Sequence, residues 1–315
     1  MKAHKNNSPN YKPILISLLG ILFVSTASIF IRFAQAEASS IAIAAARLLI
    51  ASIVLVPIAL TRHRDQLRKL TGKDWLKGIL SGVFLALHFA VWISSLEYTS
   101  VASSVVLVTT TPLWVAMLSP LVLKESIKLS VVIGLIISMI GGVLVGLSNM
   151  CEFQDGALIC QNLQITGRVM LGNLMALFGA WMAAGYMLIG RQLRKKLNTI
   201  AYTAIVYGVA ALILLILVFI RKEPVVSYSW GTYAFLLALG IIPQLLGHTI
   251  LNWALKYLSA AFVSITLLGE PIGTIVLALI FLRESPTLFE GAGAVLILSG
   301  ILIGSMGKGK PFNEA

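Results

Sequence analysis

Two apolar stretches of the sequence match each other and decide the fold. Residues 109–126 read TTTPLWVAMLSPLVLKES, and residues 267–285 read LLGEPIGTIVLALIFLRES. An offset of 159 residues aligns Pro112 of the first stretch with Pro271 of the second. Further pairs match at the same offset without a gap: Gly20 with Gly179, Arg32 with Arg191, Tyr98 with Tyr257, Glu125 with Glu284, Gly134 with Gly293, and Gly141 with Gly300. The chain therefore contains an internal repeat.

The composition places this repeat in a membrane. Apolar residues make up 58% of the chain and charged residues 11%, whereas soluble domains average about 45–50% and about 25%. A bilayer-spanning helix needs about 20 mostly apolar residues, and unpaired strands cannot face lipid. Ten runs fit: 13–34, 40–60, 76–96, 101–122, 129–148, 168–190, 200–220, 232–254, 260–282 and 287–306. The sequence predicts an all-α integral membrane protein.

Each half of the repeat holds five runs, and an odd number forces the two halves into opposite orientations. We therefore predict ten transmembrane helices in two inverted five-helix repeats. The first repeat covers 1–148 and the second 168–307. An outer loop at 149–167 joins them, and a cytoplasmic tail follows at 308–315.

The distribution of Lys and Arg predicts the orientation. With a cytoplasmic N-terminus, eighteen of them lie in inner segments and four in outer segments. This bias predicts a multi-pass protein of the cell (inner) membrane with both termini cytoplasmic. The net charge of +12 does not indicate nucleic-acid binding, since the basic residues form no patch with interleaved aromatics. The first run is too long for a signal-peptide core of about 7–15 residues, so we expect it to be retained despite the Ala34-Gln35-Ala36 site.

Several motifs resemble a known family. AAARLLIASIVLVP at 44–57, IGLIISMIGGVLVG at 133–146, GAGAVLILSGILIG at 291–304 and the two opening stretches resemble the EamA-type transporters of the drug/metabolite transporter superfamily. The resemblance covers nearly the whole chain. It implies a basket of helices around a central cavity that is lined mainly by helices 1, 3, 4, 6, 8 and 9. The superfamily carries amino acids, drugs, sugars and nucleotide sugars, so membership names no substrate.

Polar residues inside membrane helices are the candidate cavity residues, because each needs a partner or a cavity. Gln244, His248 and Asn252 follow one another at four-residue spacing on one face of helix 8. They line the cavity or hydrogen-bond helices together, and the sequence leaves both readings open. His88 and Trp92 have the same spacing on helix 3, the counterpart of helix 8.

Glu270 is the acidic residue that we place deepest in a helix. A carboxylate is costly there, which suits reversible protonation, and the neighbouring glycines favour an unwound stretch.

Pro112 and Pro271 are predicted kinks. Trp114 and Trp181 are candidates for stacking on a substrate, or else they belong to an interfacial aromatic belt.

Three further charged residues in or near the helices are predicted to be structural. Arg47 belongs to the family pattern but lies on helix 2, outside the expected cavity helices. Glu125 and Glu284 follow cations at helix ends and are predicted boundary anchors. Cys151 and Cys160 share the outer loop, where an oxidising exterior allows a disulfide, although two free thiols fit equally.

These features predict a secondary transporter, and an exporter, of small metabolites such as amino acids or related zwitterionic or anionic compounds. It works by alternating access, with proton coupling through Glu270 as an option. No P-loop is present, so ATP is not its direct fuel, and we expect no cofactor and no metal. The alternatives are a multidrug or cationic-drug exporter and a membrane-embedded lipid-modifying enzyme, for which the sequence has no HExxH or acidic cluster. The sequence leaves the substrate and the choice between monomer and homodimer open.

The topology can be tested with fused reporters. Fusions after residues 68, 126, 195 and 315 should report the cytoplasm, and fusions after 155, 225 and 285 the outside. The charge bias is the physical reason. An outer signal at 68 together with an inner signal at 155 would overturn the orientation.

Overall fold

The computed structural model describes residues 12–99, 101–147, 151–154, 157–160, 167–277, 279–280 and 286–306. Its elements in chain order are α1 (Lys12–Val24), α2 (Ala27–Ala34), α3 (Ser40–Arg62), α4 (Arg64–Arg68), α5 (Gly72–Ser95), α6 (Val101–Val108), α7 (Thr111–Val122), α8 (Leu129–Leu147), β1 (Cys151–Gln154), β2 (Ala157–Cys160), α9 (Gly167–Leu193), α10 (Thr199–Ile220), α11 (Trp230–Leu239), the π-helical segment Gly240–His248, α12 (Thr249–Ala254), α13 (Ala260–Leu267), α14 (Glu270–Leu277) and α15 (Leu288–Met306).

Eight stretches of helix among the described residues are long and apolar enough to cross a membrane. They are Lys12–Ala34, Ser40–Arg62, Gly72–Ser95, Gly167–Leu193, Thr199–Ile220, Trp230–Ala254, Ala260–Leu277 and Leu288–Met306. Two shorter apolar helices, Val106–Val122 and Leu129–Val145, coincide with the fourth and fifth predicted runs. A helical multi-pass membrane protein is thus confirmed, and the full count of ten spans stays a prediction.

The loop between the predicted repeats departs from the all-α prediction. β1 and β2 pair antiparallel there, and the register sets Cys151 opposite Cys160. Backbone pairing satisfies the polar groups of a linker that lies outside the apolar runs. The side chains of this hairpin lie outside the described residues, so the disulfide stays a prediction.

Polar caps fix where several helices begin. The side chain of Thr71 accepts from the backbone N–H of Asp74, and the carboxylate of Asp74 accepts from the N–H of Thr71, which completes a capping box. The side chains of Ser39, Asn198, Ser229 and Ser259 each accept from the N–H three residues later. Caps of this kind supply the hydrogen bonds that the first turn of a helix lacks.

Three predicted spans are interrupted near their middle. α1 gives way to α2 at residues 25–26, α6 to α7 at 109–110, and α13 to α14 at 268–269. At each break a backbone N–H bonds the carbonyl three residues back, as from Thr110 to Leu107 at 3.2 Å and from Gly269 to Thr266 at 2.9 Å. The second and third breaks lie 159 residues apart. Pro112 and Pro271 stand in the first turn after these breaks, where a proline sacrifices no helical hydrogen bond.

The two halves pack in a reciprocal pattern. α5 packs on α9, and at the matching positions α1 packs on the π-helical segment and α12. α3 packs on its match α10, and α8 on its match α15. In this last pair a Cβ on Gly141 would lie 2.6 Å from the carbonyl oxygen of Gly293, and Gly134 and Gly300 meet in the same way. Small residues let membrane helices approach this closely.

Charged linkers gather at one end of the bundle, which we call the basic end (residues 61–77, 122–128, 191–199 and 255–256). The Nζ of Lys196 lies 2.7 Å from Oδ1 of Asp74, and Nε of Arg191 lies 3.0 Å from Oε1 of Glu125. Nδ2 of Asn198 contacts Nδ1 of His63 at 2.8 Å. Each of these contacts joins the first half of the chain to the second.

Two polar contacts are described at the opposite end, one neutral and one that uses a carboxylate. Oγ1 of Thr99 donates to Oδ1 of Asn173 at 2.8 Å, and the backbone N–H of Ser229 donates to Oε2 of Glu37 at 2.7 Å. This N–H lowers the pKa of Glu37 below its ordinary value. The contact is therefore present at neutral pH and is lost as the pH falls through that pKa.

The glycine contact between α8 and α15 predicts opposite effects of two alanine substitutions. Gly141→Ala places a methyl group 2.6 Å from the Gly293 carbonyl oxygen and 2.9 Å from the Ile297 nitrogen. Since both atoms are backbone, we expect a loss of about 1–3 kcal/mol. At Gly291, on the same α15, a Cβ meets nothing within 4 Å. Gly291→Ala should stabilise by up to about 1 kcal/mol through helix propensity.

Thermal unfolding of the two variants in detergent measures both effects. Equal midpoints for Gly141→Ala and the wild type would show that the two helices do not approach as described.

Candidate functional site

A cavity lies between the two halves, beside the interruptions of the helices. The space open to the centre of a water-sized sphere is about 90 Å³, where one water needs roughly 10–15 Å³. A solute of several heavy atoms therefore fits. The predicted helices 1, 3, 4, 6, 8 and 9 all contribute to the lining. Its charged, aromatic and amide side chains include Arg47, His88, Trp92, Tyr186, His248, Asn252 and Glu270.

The position of Arg47 differs from the one predicted from the sequence. It was expected to be structural on a helix outside the cavity, yet it lines the cavity and is 0% exposed. Its Nε donates to Oε1 of Gln244 at 3.0 Å, and its Cζ lies 4.1 Å from the ring centroid of Phe89. Neither Nη1 nor Nη2 has a hydrogen-bond acceptor among the described residues. The buried cation is thus only partly compensated by its neighbours.

Glu270 lines the same cavity from the first turn of α14. Its backbone carbonyl oxygen accepts from Oγ of Ser25 at 2.9 Å, while Oγ1 of Thr274 donates to the Ser25 carbonyl at 3.1 Å. These two bonds join the interruption of α1 to the start of α14. Glu270 and Arg47 form no ion pair within 4.0 Å in the described structure, so each charge faces the cavity separately.

His88 is held in one ring orientation. Its Nδ1 lies 2.9 Å from the carbonyl oxygen of Gly179, and because a carbonyl only accepts, this nitrogen carries the proton. In the neutral ring Nε2 is then the acceptor. The ring stacks on Trp92 with centroids 5.8 Å apart, and Phe89 meets His248 edge-on at 5.6 Å. The predicted pair His88 and Trp92 thus lies with Phe89 and His248 in one group of aromatic rings that lines the cavity.

The polar stripe predicted on helix 8 has two roles. His248 and Asn252 line the cavity, whereas Gln244 is fully buried behind it against Arg47. Gln244 and His248 lie in a π-helical segment that contains Pro243. Such wider turns recur at functional sites, and here Gln244 lies behind the cavity wall while His248 and Asn252 line the cavity.

Asn252 also anchors a cluster of buried tyrosines. Tyr186 donates to its Oδ1 at 2.6 Å, and its Nδ2 donates to the hydroxyl of Tyr207 at 3.0 Å. Oγ of Ser81 lies 3.0 Å from the hydroxyl of Tyr202 near by. Sequence reasoning missed these tyrosines because it surveyed charged, amide and indole groups. Their position within the apolar helices 6 and 7 was the available signal, since a buried hydroxyl needs a partner.

Two predicted substrate-stacking residues do not line the cavity. Trp114 and Trp181 pack edge-on against each other, with centroids 5.3 Å apart. Trp181 is 42% exposed, and Nε1 of Trp114 donates to Oγ1 of Thr110 at 3.2 Å. Trp181 is thus part of the exposed surface of the bundle, while Trp114 is partly buried against the core. Pro112 does line the cavity, whereas Pro271 stands beside it, next to Glu270.

The predicted anchor Glu125 binds across the two halves at the basic end. It pairs with Arg191, whose Nη1 also donates to the carbonyl oxygen of Leu255 at 2.6 Å. Lys195 lies 4.0 Å from the same carboxylate. Glu284, the match of Glu125 at the offset of 159, lies outside the described residues.

The tyrosine cluster predicts the cost of replacing Asn252. Asn252→Leu removes the acceptor of the Tyr186 hydroxyl and a donor to Tyr207, so we expect a loss of roughly 1–3 kcal/mol in the free energy of unfolding. Thermal unfolding in detergent gives the comparison. Gln192→Leu, at a partly exposed residue that bonds Lys77 and the Val122 carbonyl, should cost less than about 1 kcal/mol. Equal losses would show that the cluster contributes no more than a surface contact.

Comparisons with known proteins agree with this architecture. An uncharacterized transporter of Clostridium kluyveri is 27% identical over 258 residues, covering 81% of this chain and 80% of its own. An uncharacterized transporter of Archaeoglobus fulgidus is 23% identical over 297 residues, covering 93% and 97%. The uncharacterized transporter YyaM of Bacillus subtilis is 28% identical over 271 residues, covering 82% and 81%.

A protein of known crystal structure shares the fold, with a TM-score of 0.75 at 18% identity over 93% of this chain and 96% of the other. The model of the EamA-like transporter family matches residues 11–147 and again residues 170–306. The two matched segments begin and end 159 residues apart, which is the offset found within the sequence. Since these matches span most of the chain, the protein belongs to the EamA-like transporter family.

Proposed function

We propose that this protein is a secondary transporter that exports small zwitterionic or anionic metabolites by alternating access through the central cavity. The observation that carries the proposal is the cavity itself. Its described lining includes one cation, Arg47, and one carboxylate, Glu270, between the two halves of a largely apolar bundle. Charged side chains are expensive at membrane depth and mark solute pathways. A zwitterion offers each of them an opposite charge.

The proposed scaffold is ten transmembrane helices in two inverted five-helix repeats. The single offset of 159 supports it, because the family match, the two helix interruptions and the reciprocal helix contacts all follow that offset. The two short apolar helices, Val106–Val122 and Leu129–Val145, supply the fourth and fifth spans. Inverted repeats that meet at a midplane site are the usual basis for rocking one half against the other.

The proposed orientation puts the basic end in the cytoplasm of a cell whose inner membrane holds the protein. The bias of eighteen to four Lys and Arg residues supports this. The contacts of Arg191 with Glu125 and of Lys196 with Asp74 then hold the two halves together at the cytoplasmic side. Export requires these contacts to open so that the solute can enter.

Proton coupling is proposed to run through Glu270. Its carboxylate accepts no hydrogen bond from the described residues and faces the cavity, so bound solute and bound proton compete for the same space. A cationic-drug exporter is the second candidate, because the carboxylate lies in a cavity with aromatic rings that attract cations. The buried guanidinium of Arg47 opposes it, since a cation entering the cavity would be repelled.

The coupling can be tested with Glu270→Gln in proteoliposomes. The substrate is first found by comparing metabolites inside and outside cells that overproduce or lack the protein. The variant should lose accumulation driven by a proton gradient and keep substrate exchange, because exchange moves no net proton.

Glu97→Gln, at an exposed carboxylate of the opposite end, is the matched control and should behave like the wild type. Wild-type accumulation and an unchanged pH dependence in the Glu270→Gln protein would remove Glu270 from the mechanism.

A further inference from the structure

The guanidinium of Arg47 has unused binding capacity. Arg47 is 0% exposed, and of its nitrogens Nε alone has a partner, the side-chain oxygen of Gln244. Nη1 and Nη2 lack an acceptor among the described residues, and so does Nε2 of the same Gln244. Leaving several donors of a buried cation unpaired is costly, and the cost is recovered when an anion reaches them.

The free donors have the geometry of a carboxylate site. A guanidinium offers five N–H groups in a rigid planar fork, and the pair of η nitrogens matches the two oxygens of a carboxylate or other oxyanion. Gln244 accepts from Nε and thereby fixes the plane of the fork. Its own amide nitrogen adds one more donor beside it. Among the described residues, the Gln244 oxygen is the acceptor that lies within hydrogen-bond distance of this cluster, and it is already used by Nε.

The ring of Phe89 covers this cluster. Its ring is 0% exposed and lies over the guanidinium at 4.1 Å, while its edge meets His248. In this conformation the η nitrogens are covered, and the ring provides only a cation–π contact in place of hydrogen bonds. A charge-assisted bidentate pair is the stronger interaction. When the Phe89 ring turns aside toward the cavity, an anion can replace the cation–π contact with this stronger pair.

We propose that Arg47 is the anion-binding residue of the cavity: its Nη1 and Nη2 take the carboxylate of the solute, and Gln244 positions the fork. This rests on the proposed function in that the ligand is the transported solute. Phe89 is displaced when the anion binds. Glu270, which lines the same cavity, then remains available for the solute's ammonium group or for a proton.

The test compares acids with their amides on purified full-length protein. The probes are acetate and acetamide, benzoate and benzamide, and L-alanine and L-alaninamide. Binding is measured by the shift of the thermal unfolding midpoint as each probe is titrated. We expect at least one carboxylate to raise the midpoint of the wild type while its amide does not. Arg47→Gln should weaken that binding roughly ten- to a hundredfold, as the loss of hydrogen bonds to a charged group predicts.

Gln244→Glu is the second variant. Unlike Arg47→Gln, it keeps the guanidinium charge, so its result does not require the protein to fold without that charge. It sets a tethered carboxylate beside Nε of Arg47, so we expect a midpoint above that of the wild type and no response to the carboxylate probes. Gln192→Glu makes the same change at the exposed basic end and should respond like the wild type. If the Arg47→Gln protein does not fold, the response of the Gln244→Glu protein to the carboxylate probes tests the proposal instead.

Three results would overturn the proposal: no carboxylate shifts the wild type, acids and amides act alike, or Gln244→Glu keeps the wild-type response. Uptake of the same labelled carboxylate into proteoliposomes separates this inference from the proposed function. Binding that needs Arg47 but leads to no transport contradicts the transporter function alone. Transport that Arg47→Gln leaves unchanged contradicts the anion site alone.

Discussion

Hydrocarbon offers no hydrogen bonds, and this constraint governs where the backbone of this protein can depart from a helix. Each unpaired N–H or C=O in lipid costs several kcal/mol. The described spans are nevertheless broken at residues 25–26, 109–110 and 268–269. All three breaks border the cavity, and shifted backbone bonds or hydroxyl groups take up the freed groups. The irregular backbone is therefore confined to the one region where it does not face lipid, and the cavity side chains follow from these breaks.

The surrounding hydrocarbon also makes the two buried charges of the cavity, Arg47 and Glu270, costly. Arg47 is compensated by one amide oxygen and one aromatic face, and Glu270 stands apart from it. A permanent ion pair between them would satisfy both groups but would leave nothing to recognise a solute. In the proposed function their separation leaves both groups available to an entering solute. The tyrosine cluster around Asn252 supports the cavity on the side of α9 and α10.

Sequence reasoning reached the helical fold, the family and several cavity residues, because these depend on local patterns. Apolar runs predict helices, and a deep carboxylate such as Glu270 predicts a cavity. The place of Arg47 could not be predicted, since it depends on the rotation of α3 against the π-helical segment, a tertiary property. For Trp114 and Trp181 the sequence left two alternatives open for the same reason: an indole in an apolar helix gives no sign of whether it faces lipid or cavity. The hairpin β1–β2 was missed because its eight residues are too few for a periodic signal.

The contact of α8 with α15 also has a consequence for biosynthesis. Gly141 enters the membrane 159 residues before its symmetry match Gly300, and translation adds about 5–20 residues per second. The small-residue face of α8 therefore waits roughly 8–30 s in the bilayer before its partner helix is made. Glycine and serine on that face tolerate lipid during this interval without exposing a charge. Once α15 is made, it packs against the face of α8 that had no partner until then.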